Sequence, residues 1–278
     1  MRVFLPDKVG FCFGVKRAIS RVEEKLKEGK EKIYCLGDLI HNPEVMENLV
    51  RKGLKVISDL SEVKGGVVFT RAHGTPHSVL EEAAKRKIKI VETTCPYVIR
   101  LQKIARRLAE MSYPLVIVGS REHPEIDSLI ANIKANIYVV SCPEEVKKLP
   151  SLKKIAVLSQ TTESLDNFKN IVNNLLKGRL EVRVFNTLCR VVRERQEETR
   201  ELAEKVEAMV VVGGRNSSNT RKLVKICQEK GVKTFFVEKK EDLNYQEIKK
   251  LKSVGVTGGT STPEETVKEV AKSIIELT

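Results

Sequence analysis

Short runs of β-branched residues alternate along the chain with amphipathic stretches, and each run ends in a loop rich in Gly, Ser, Thr or His. PLVIVGS precedes the periodic PEIDSLIANI, and KIAVLS precedes ESLDNFKNIVNNLLKG. Compact apolar runs bounded by turn residues predict strands, and the longer stretches with apolar residues three and four apart predict helices. The alternation predicts an α/β fold of small, mostly parallel sheets with helices on their faces.

The pattern also repeats. TTCPYVIRLQKIARRLAE around Cys95 matches NTLCRVVRERQEETRELAE around Cys189. In both, a Thr stands two residues before the Cys, a Gln seven after it, and LAE begins thirteen after it. Gly119 and Gly213 fall twenty-four residues after their cysteines, and Arg121 and Arg215 twenty-six after. The first third is a looser copy: Cys12 opens FGVKRAISRVEEKL, and Gly37 follows in YCLGD. In each third a further strand ends in a polar loop, VVFTRAHGTP, AVLSQTTES or GVTGGTSTPE. Counting four residues from Phe69, Val157 and Thr257 predicts that His73, Thr161 and Ser261 are equivalent. Generic strand–helix units produce similar spacings, but not identical residues at so many offsets. We therefore expect three α/β modules, whose strand-end loops meet in one place if the modules face one pseudo-threefold axis. The modules are residues 1–95, with the N-terminal strand and the Cys12 loop, 96–189 and 190–278.

Composition narrows the class. The chain has 278 residues, 41% of them hydrophobic and 31% charged, which fits a globular protein and excludes a disordered or fibrous chain. No apolar stretch approaches the ~20 residues of a membrane span, and MRVFLPDKVGFCFG is too polar for a signal peptide. A cytoplasmic location without a membrane partner is expected. The net charge of +13 fits either a Lys-rich solvated surface or an anionic partner. With no Trp and no basic run interleaved with aromatic residues, nucleic acid is not the expected partner.

Ligands of parallel α/β sheets bind beyond the carboxyl ends of the strands. The repeat places Cys12, Cys95 and Cys189 in such loops, each just before a helix whose N-terminus favours an ionised thiol. Three thiolates meeting at one point suit a soft metal, and both zinc and a 4Fe–4S cluster with one open iron fit that set. Cys35, Cys142 and Cys227 lie off the repeated position and are assigned to packing. Asn42-Pro43, Thr75-Pro76 and Thr262-Pro263 read as helix starts, with Thr262 and Glu265 spaced as a capping box. Converging helix N-termini make an anion site. His41, His73 and His123, together with Ser217, Asn219 and Ser261, supply its donors, whereas His77 reads as structural. Glu125 is the one carboxylate in the HPE loop, with Thr161 the hydroxyl expected opposite it. It suits either proton delivery or simple compensation of a helix dipole. GGRNSSN is not a GxGxxG fingerprint, so electrons would have to come from another protein.

GFCFGVKRAI, HNPEV, RAHGTP, TTCPYV, GSREHPE, SQTTES, NTLCRVVRERQ, GRNSSNT and GGTSTP occur in this order across nearly the whole chain. Together they resemble the 4-hydroxy-3-methylbut-2-enyl diphosphate reductase family, whose reaction ends the methylerythritol phosphate route to isoprenoids. The resemblance implies a cloverleaf of the three α/β modules around a central 4Fe–4S cluster held by Cys12, Cys95 and Cys189. It implies a diphosphate pocket of His41, His73, His123, Thr161, Ser217, Ser218, Asn219 and Ser261, with Glu125 as proton source. Catalytic roles fall on Glu125, Thr161 and His123. The implied products are isopentenyl and dimethylallyl diphosphate; with a basic surface and no flavin or nicotinamide motif, the chain is expected to take electrons from an acidic carrier such as a ferredoxin or flavodoxin. Val191-Val192 and Gly259-Thr260 depart from the family's usual Ala-Thr and Ala residues, beside the third cysteine and the last loop. Two other readings share these features. An iron–sulfur hydro-lyase would need no reductant, and a basic nucleic-acid-binding protein would use its cysteines only for packing.

Overall fold

The computed structural model of the chain describes residues 1–277. Strand β1 (Arg2–Phe4) leads through the Cys12 loop into α1 (Phe13–Glu28). There follow β2 (Ile33–Leu36), α2 (Pro43–Arg51), β3 (Lys55–Ile57), β4 (Val67–Phe69), α3 (His77–Lys85) and β5 (Lys89–Val91). After Cys95 the order recurs as α4 (Pro96–Glu110), β6 (Leu115–Val118), α5 (Pro124–Ala131), β7 (Ile137–Val140), β8 (Lys154–Ser159), α6 (Leu165–Leu175) and β9 (Glu181–Val184). After Cys189 come α7 (Arg190–Ala203), β10 (Ala208–Val212), α8 (Ser218–Glu229) and β11 (Lys233–Val237). The chain closes with α9 (Tyr245–Ile248), β12 (Ser253–Gly258) and α10 (Glu264–Ile275). No helix among the described residues is long and apolar enough to cross a membrane.

The strands form three four-stranded parallel sheets, ordered β3-β2-β4-β5, β7-β6-β8-β9 and β1-β12-β10-β11. The α/β class and the three small parallel sheets are thus as expected from the sequence. The N-terminal strand is not where the module boundaries placed it. Rather than joining the first sheet, β1 pairs with β12, with Val3 opposite Val254. The reason lies in the repeat itself. Each cysteine follows the fourth strand of one sheet and opens the helix that leads to the next: β5 precedes Cys95, β9 precedes Cys189 and β1 precedes Cys12. The last sheet would otherwise leave β12 unpaired on one side, and the chain's own start fills that edge.

Compactness divides the chain into two units. One comprises Met1–Lys16, Ile40–Glu47 and Arg190–Thr278, and the other Arg17–Leu39 and Asn48–Cys189. The first holds the β10 sheet and the second holds both others. In the β6 sheet, successive residues enter opposite cores, as a period of two demands. Leu115 and Ile117 pack with Leu101, Ile126 and Leu129, while Val116 and Val118 pack with Phe168, Ile171 and Leu175. The central strands β6 and β10 are buried at every position, which explains their unbroken apolar runs.

Candidate active site

All loops that carry the expected site residues leave the carboxyl ends of these strands. The cysteine loops are anchored alike. The backbone N–H groups of Cys12, Cys95 and Cys189 each donate over 2.9 Å, to the carbonyls of Thr260, Ala72 and Thr161 respectively. The strand register agrees with these contacts and corrects the equivalence counted from sequence. Val118 pairs with Ser159 and Val212 with Gly258. This makes Thr161 the counterpart of Thr260 and Ala72, and aligns Thr162 with His73 and Ser261. The residue count slipped by one in the middle copy.

The Thr two residues before the cysteine is a clamp. Thr93 N–H donates to Thr70 Oγ1 (2.8 Å), and Thr93 Oγ1 donates to Thr70 O. Likewise Thr187 Oγ1 donates to Ser159 O (2.7 Å) and accepts from Ser159 N–H (2.8 Å). At the first cysteine this place is Gly10, at φ +89, where a Cβ would stand 2.9 Å from Glu264 Cβ. Arg195 replaces the missing clamp: Nη1 donates to Gly258 O (2.5 Å) and Nη2 to Gly10 O (3.3 Å). Its side chain is only 4% exposed. Burial lowers the guanidinium's pKa, opposed by the nearby Glu198 and Cys12, yet an Arg stays charged. Sequence reading missed Arg195, although the absent Thr before Cys12 was a signal that another group must close that loop. Arg195→Met should cost ~2–4 kcal/mol in urea unfolding, since two charge-assisted bonds go and buried carbonyls remain. A loss below ~0.5 kcal/mol would show that the Cys12 loop is held by something else.

In the second unit, His123 caps α5, its Nδ1 accepting from Glu125 N–H at 3.2 Å, which leaves Nε2 as the donor. The His73 and His123 rings meet edge to face, centroids 6.5 Å apart. Glu125 is 2% exposed and takes two hydrogen bonds from one residue, Thr161 N–H (2.7 Å) and Thr161 Oγ1 (2.6 Å). Burial pushes its carboxyl up to about 7, and the Thr161 bonds only partly offset the rise. Thr161 also accepts from Cys189 N–H, so the acid and the cysteine loop are fixed to the same residue. Glu163, in the same loop, is a second buried carboxylate, which the sequence reading passed over. It accepts from Ser164 N–H at 2.8 Å at the start of α6.

In the first unit, Asn42 caps α2 through Val45 N–H (3.1 Å) and donates to Ser261 O (2.9 Å). Ser217 caps α8, and Ser261 Oγ lies 3.4 Å from both Ser217 Oγ and His41 O. A Cβ on Gly214 would stand 3.0 Å from His41 O, so glycine is what lets these loops meet. Ser218 and Asn219, in the first turn of α8, are buried. Among the described residues, neither amide atom of Asn219 has a hydrogen-bond partner. A buried carboxamide at a capped helix N-terminus offers its Nδ2–H to an anionic ligand, while its Oδ1 is left to accept from a hydroxyl.

Two expectations fail in detail. Thr262 makes no capping box, because its hydroxyl donates to Val212 O (3.1 Å) and α10 begins at Glu264 without a side-chain cap. Cys142 is half-buried before a short 3-10 helix rather than packed in a core. Cys35 and Cys227 are fully buried, and burial pushes both thiols up to about 12. Among the described residues no three His, Cys, Asp or Glu side chains are arranged as a metal site, and Cys12 lies in a different unit from Cys95 and Cys189. What the structure supplies is donor chemistry: three equivalently anchored thiols, each opening a long helix. That set fits a soft metal centre.

Parallel α/β modules that carry thiols, histidines and capped helix N-termini in the loops at their strand ends hold the donor types that an anionic ligand and a soft metal call for. The chain belongs to the LytB protein family, whose model matches residues 3–275. It is 40% identical over 277 residues to 4-hydroxy-3-methylbut-2-enyl diphosphate reductase of Geotalea uraniireducens, covering 100% of this chain and 98% of that protein. The enzyme of the same name from Alkaliphilus oremlandii is 39% identical over 280 residues, covering all of both chains. The solved E-1-hydroxy-2-methyl-but-2-enyl-4-diphosphate reductase of Plasmodium falciparum superposes with a TM-score of 0.93 at 30% identity, over 98% of this chain and 87% of that one. A second solved (E)-4-hydroxy-3-methyl-but-2-enyl diphosphate reductase, described as the terminal enzyme of the non-mevalonate pathway, gives 0.71 at 34% identity over all of both chains.

Proposed function

We propose that the chain reduces 4-hydroxy-3-methylbut-2-enyl diphosphate to isopentenyl and dimethylallyl diphosphate. Two electrons and two protons enter, and the hydroxyl leaves as water. The full-length match to reductases of that name carries this reading. Cys12, Cys95 and Cys189 would hold a 4Fe–4S cluster, which when bound supplies the electrons and a Lewis-acidic iron. A ferredoxin- or flavodoxin-type protein would deliver those electrons.

The chain's own groups do the rest. Ser217, Ser218, Asn219, Ser261 and His41 bind diphosphate, the α8 N-terminus and the unsatisfied Asn219 amide being the observations that favour them. The family resemblance assigns His73 and His123 to the same ligand, and their edge-to-face rings keep both imidazoles beside the Glu125 loop. Glu125, with its carboxyl raised to about 7, is protonated in about half of the molecules at neutral pH and passes that proton through the Thr161 hydroxyl, 2.6 Å away. Without that proton the departing oxygen would have to leave as hydroxide, a poor leaving group.

The test is anaerobic turnover by protein reconstituted with iron and sulfide. Two equivalents of reduced viologen should be oxidised per substrate consumed, and both isomeric products should form. Substrate conversion with no reductant would point instead to a hydro-lyase and overturn the reading.

A further inference from the structure

Helix α4 opens at Cys95 and carries Arg100, Lys103, Arg106 and Arg107, all exposed. Its buried face is Val98, Leu101, Ala105 and Leu108. At 3.6 residues per turn, positions 96, 100, 103 and 107 form one outward stripe, running roughly 17 Å from the Cys95 loop. Helix α1 extends the positive face beside that loop. Arg17 Nη1 donates to Thr94 O (3.1 Å) and Arg21 Nη1 to Glu92 O (2.7 Å), so two more guanidinium groups flank the residues entering Cys95.

On several other helices at least one cation is matched by an acid about a turn away. α1 has Lys25–Glu28, α7 Arg200–Glu197, α8 Lys225–Glu229 and α10 Lys268–Glu264, and Arg86, just past α3, pairs with Glu82. Among the described residues, none of the four α4 cations is in an ion pair. Like charges one turn apart weaken a helix, and a face of mixed sign would avoid that cost. The stripe thus keeps positive charge that the local structure does not use.

We propose that this stripe is the docking face for an acidic electron-carrier protein. The inference rests on the reductase reading above, which needs electrons from outside the chain. Cys95 is half-buried and Pro96 exposed, so a carrier lying along α4 stands against the loop of a proposed cluster ligand. Transient redox encounters use small interfaces and rely on complementary charge for their association rate.

The test compares the holoenzyme with the Arg100→Glu/Lys103→Glu/Arg107→Glu variant, using two donors: a reduced acidic ferredoxin and reduced methyl viologen. With ferredoxin limiting at low ionic strength, the variant should be slower by about ten-fold or more and should lose the parent's salt dependence. Its viologen-driven rate should stay within about two-fold, because steering of a protein partner is what was removed. Ferredoxin-driven rates equal to the parent's would overturn the docking face. If charge reversal lowered both rates, the corresponding triple Gln variant decides. A loss confined to ferredoxin supports the face, and an unchanged ferredoxin rate overturns it. Failure of the parent itself to turn over with viologen would count against the reductase reading, a separate outcome.

Discussion

Replacing Cys12, Cys95 or Cys189 by Ser should each strip the protein of its iron–sulfur absorbance. A serine hydroxyl does not ionise near neutral pH and is a hard oxygen donor, whereas a thiolate is soft and ionisable. Loss of a supporting partner already costs ~10–100-fold in metal affinity, so loss of a ligand should cost at least that. The three loops hang on equivalent backbone hydrogen bonds, from cysteine N–H to the carbonyls of Thr260, Ala72 and Thr161, which the substitution leaves in place. The fold should therefore survive, and far-ultraviolet circular dichroism should match the parent. Cys35→Ala and Cys227→Ala provide the contrast. Both thiols sit in cores, pushed up to about 12, with no role as thiolates at neutral pH. These variants should lose stability but keep iron and sulfide. A Cys189→Ser protein that is iron-replete and fully active would sink the assignment of the three thiols.

The strands and helices were legible because burial on both faces writes unbroken apolar runs such as LVIV and AMVVV. The equivalence of Cys95 and Cys189 was legible because a clamp at fixed distance demands the same Thr. Pairing across the sheet was not. RVF carries no mark that says its partner is Ser253–Gly255, two hundred and fifty residues away, and nothing local distinguishes that edge from the first sheet's. The one-residue slip at Thr161 has the same origin, since register is set by hydrogen bonds between strands rather than by counting within one. Arg195 was illegible for a different reason. It performs for Cys12 what a Thr does for the other two, with a different chemical group reaching from another element. Convergent solutions of that kind leave no repeated letter. The environment of Glu125 was half legible: its loop could be read, but not the complete burial that raises its carboxyl.

Glu125→Gln should lower turnover by ~10²–10⁴-fold, the usual worth of general acid catalysis, while leaving the cluster spectrum unchanged. Gln is nearly the same size, and its carbonyl can accept one of the Thr161 bonds that the carboxylate now takes. What it cannot do is give up a proton. The pH dependence supplies a sharper sign. With the carboxyl pushed up to about 7, the acid is protonated and competent below that value. The parent's rate should therefore fall as pH rises through about 7, and the variant's residual rate should not show that fall. Stability carries the same signature. Between the ordinary carboxylate value of 4.5 and about 7, the native state holds a proton that the unfolded chain has lost. Stability from this group is thus fully present below 4.5 and declines as pH rises through about 7, a slope that Gln abolishes. Thr161→Val should reproduce part of the kinetic loss by removing the hydroxyl bridge while the backbone N–H bond to Glu125 remains. If the Glu125→Gln enzyme turned over within a few-fold of the parent and kept the same pH profile, Glu125 would be only a buried residue of the first turn of α5.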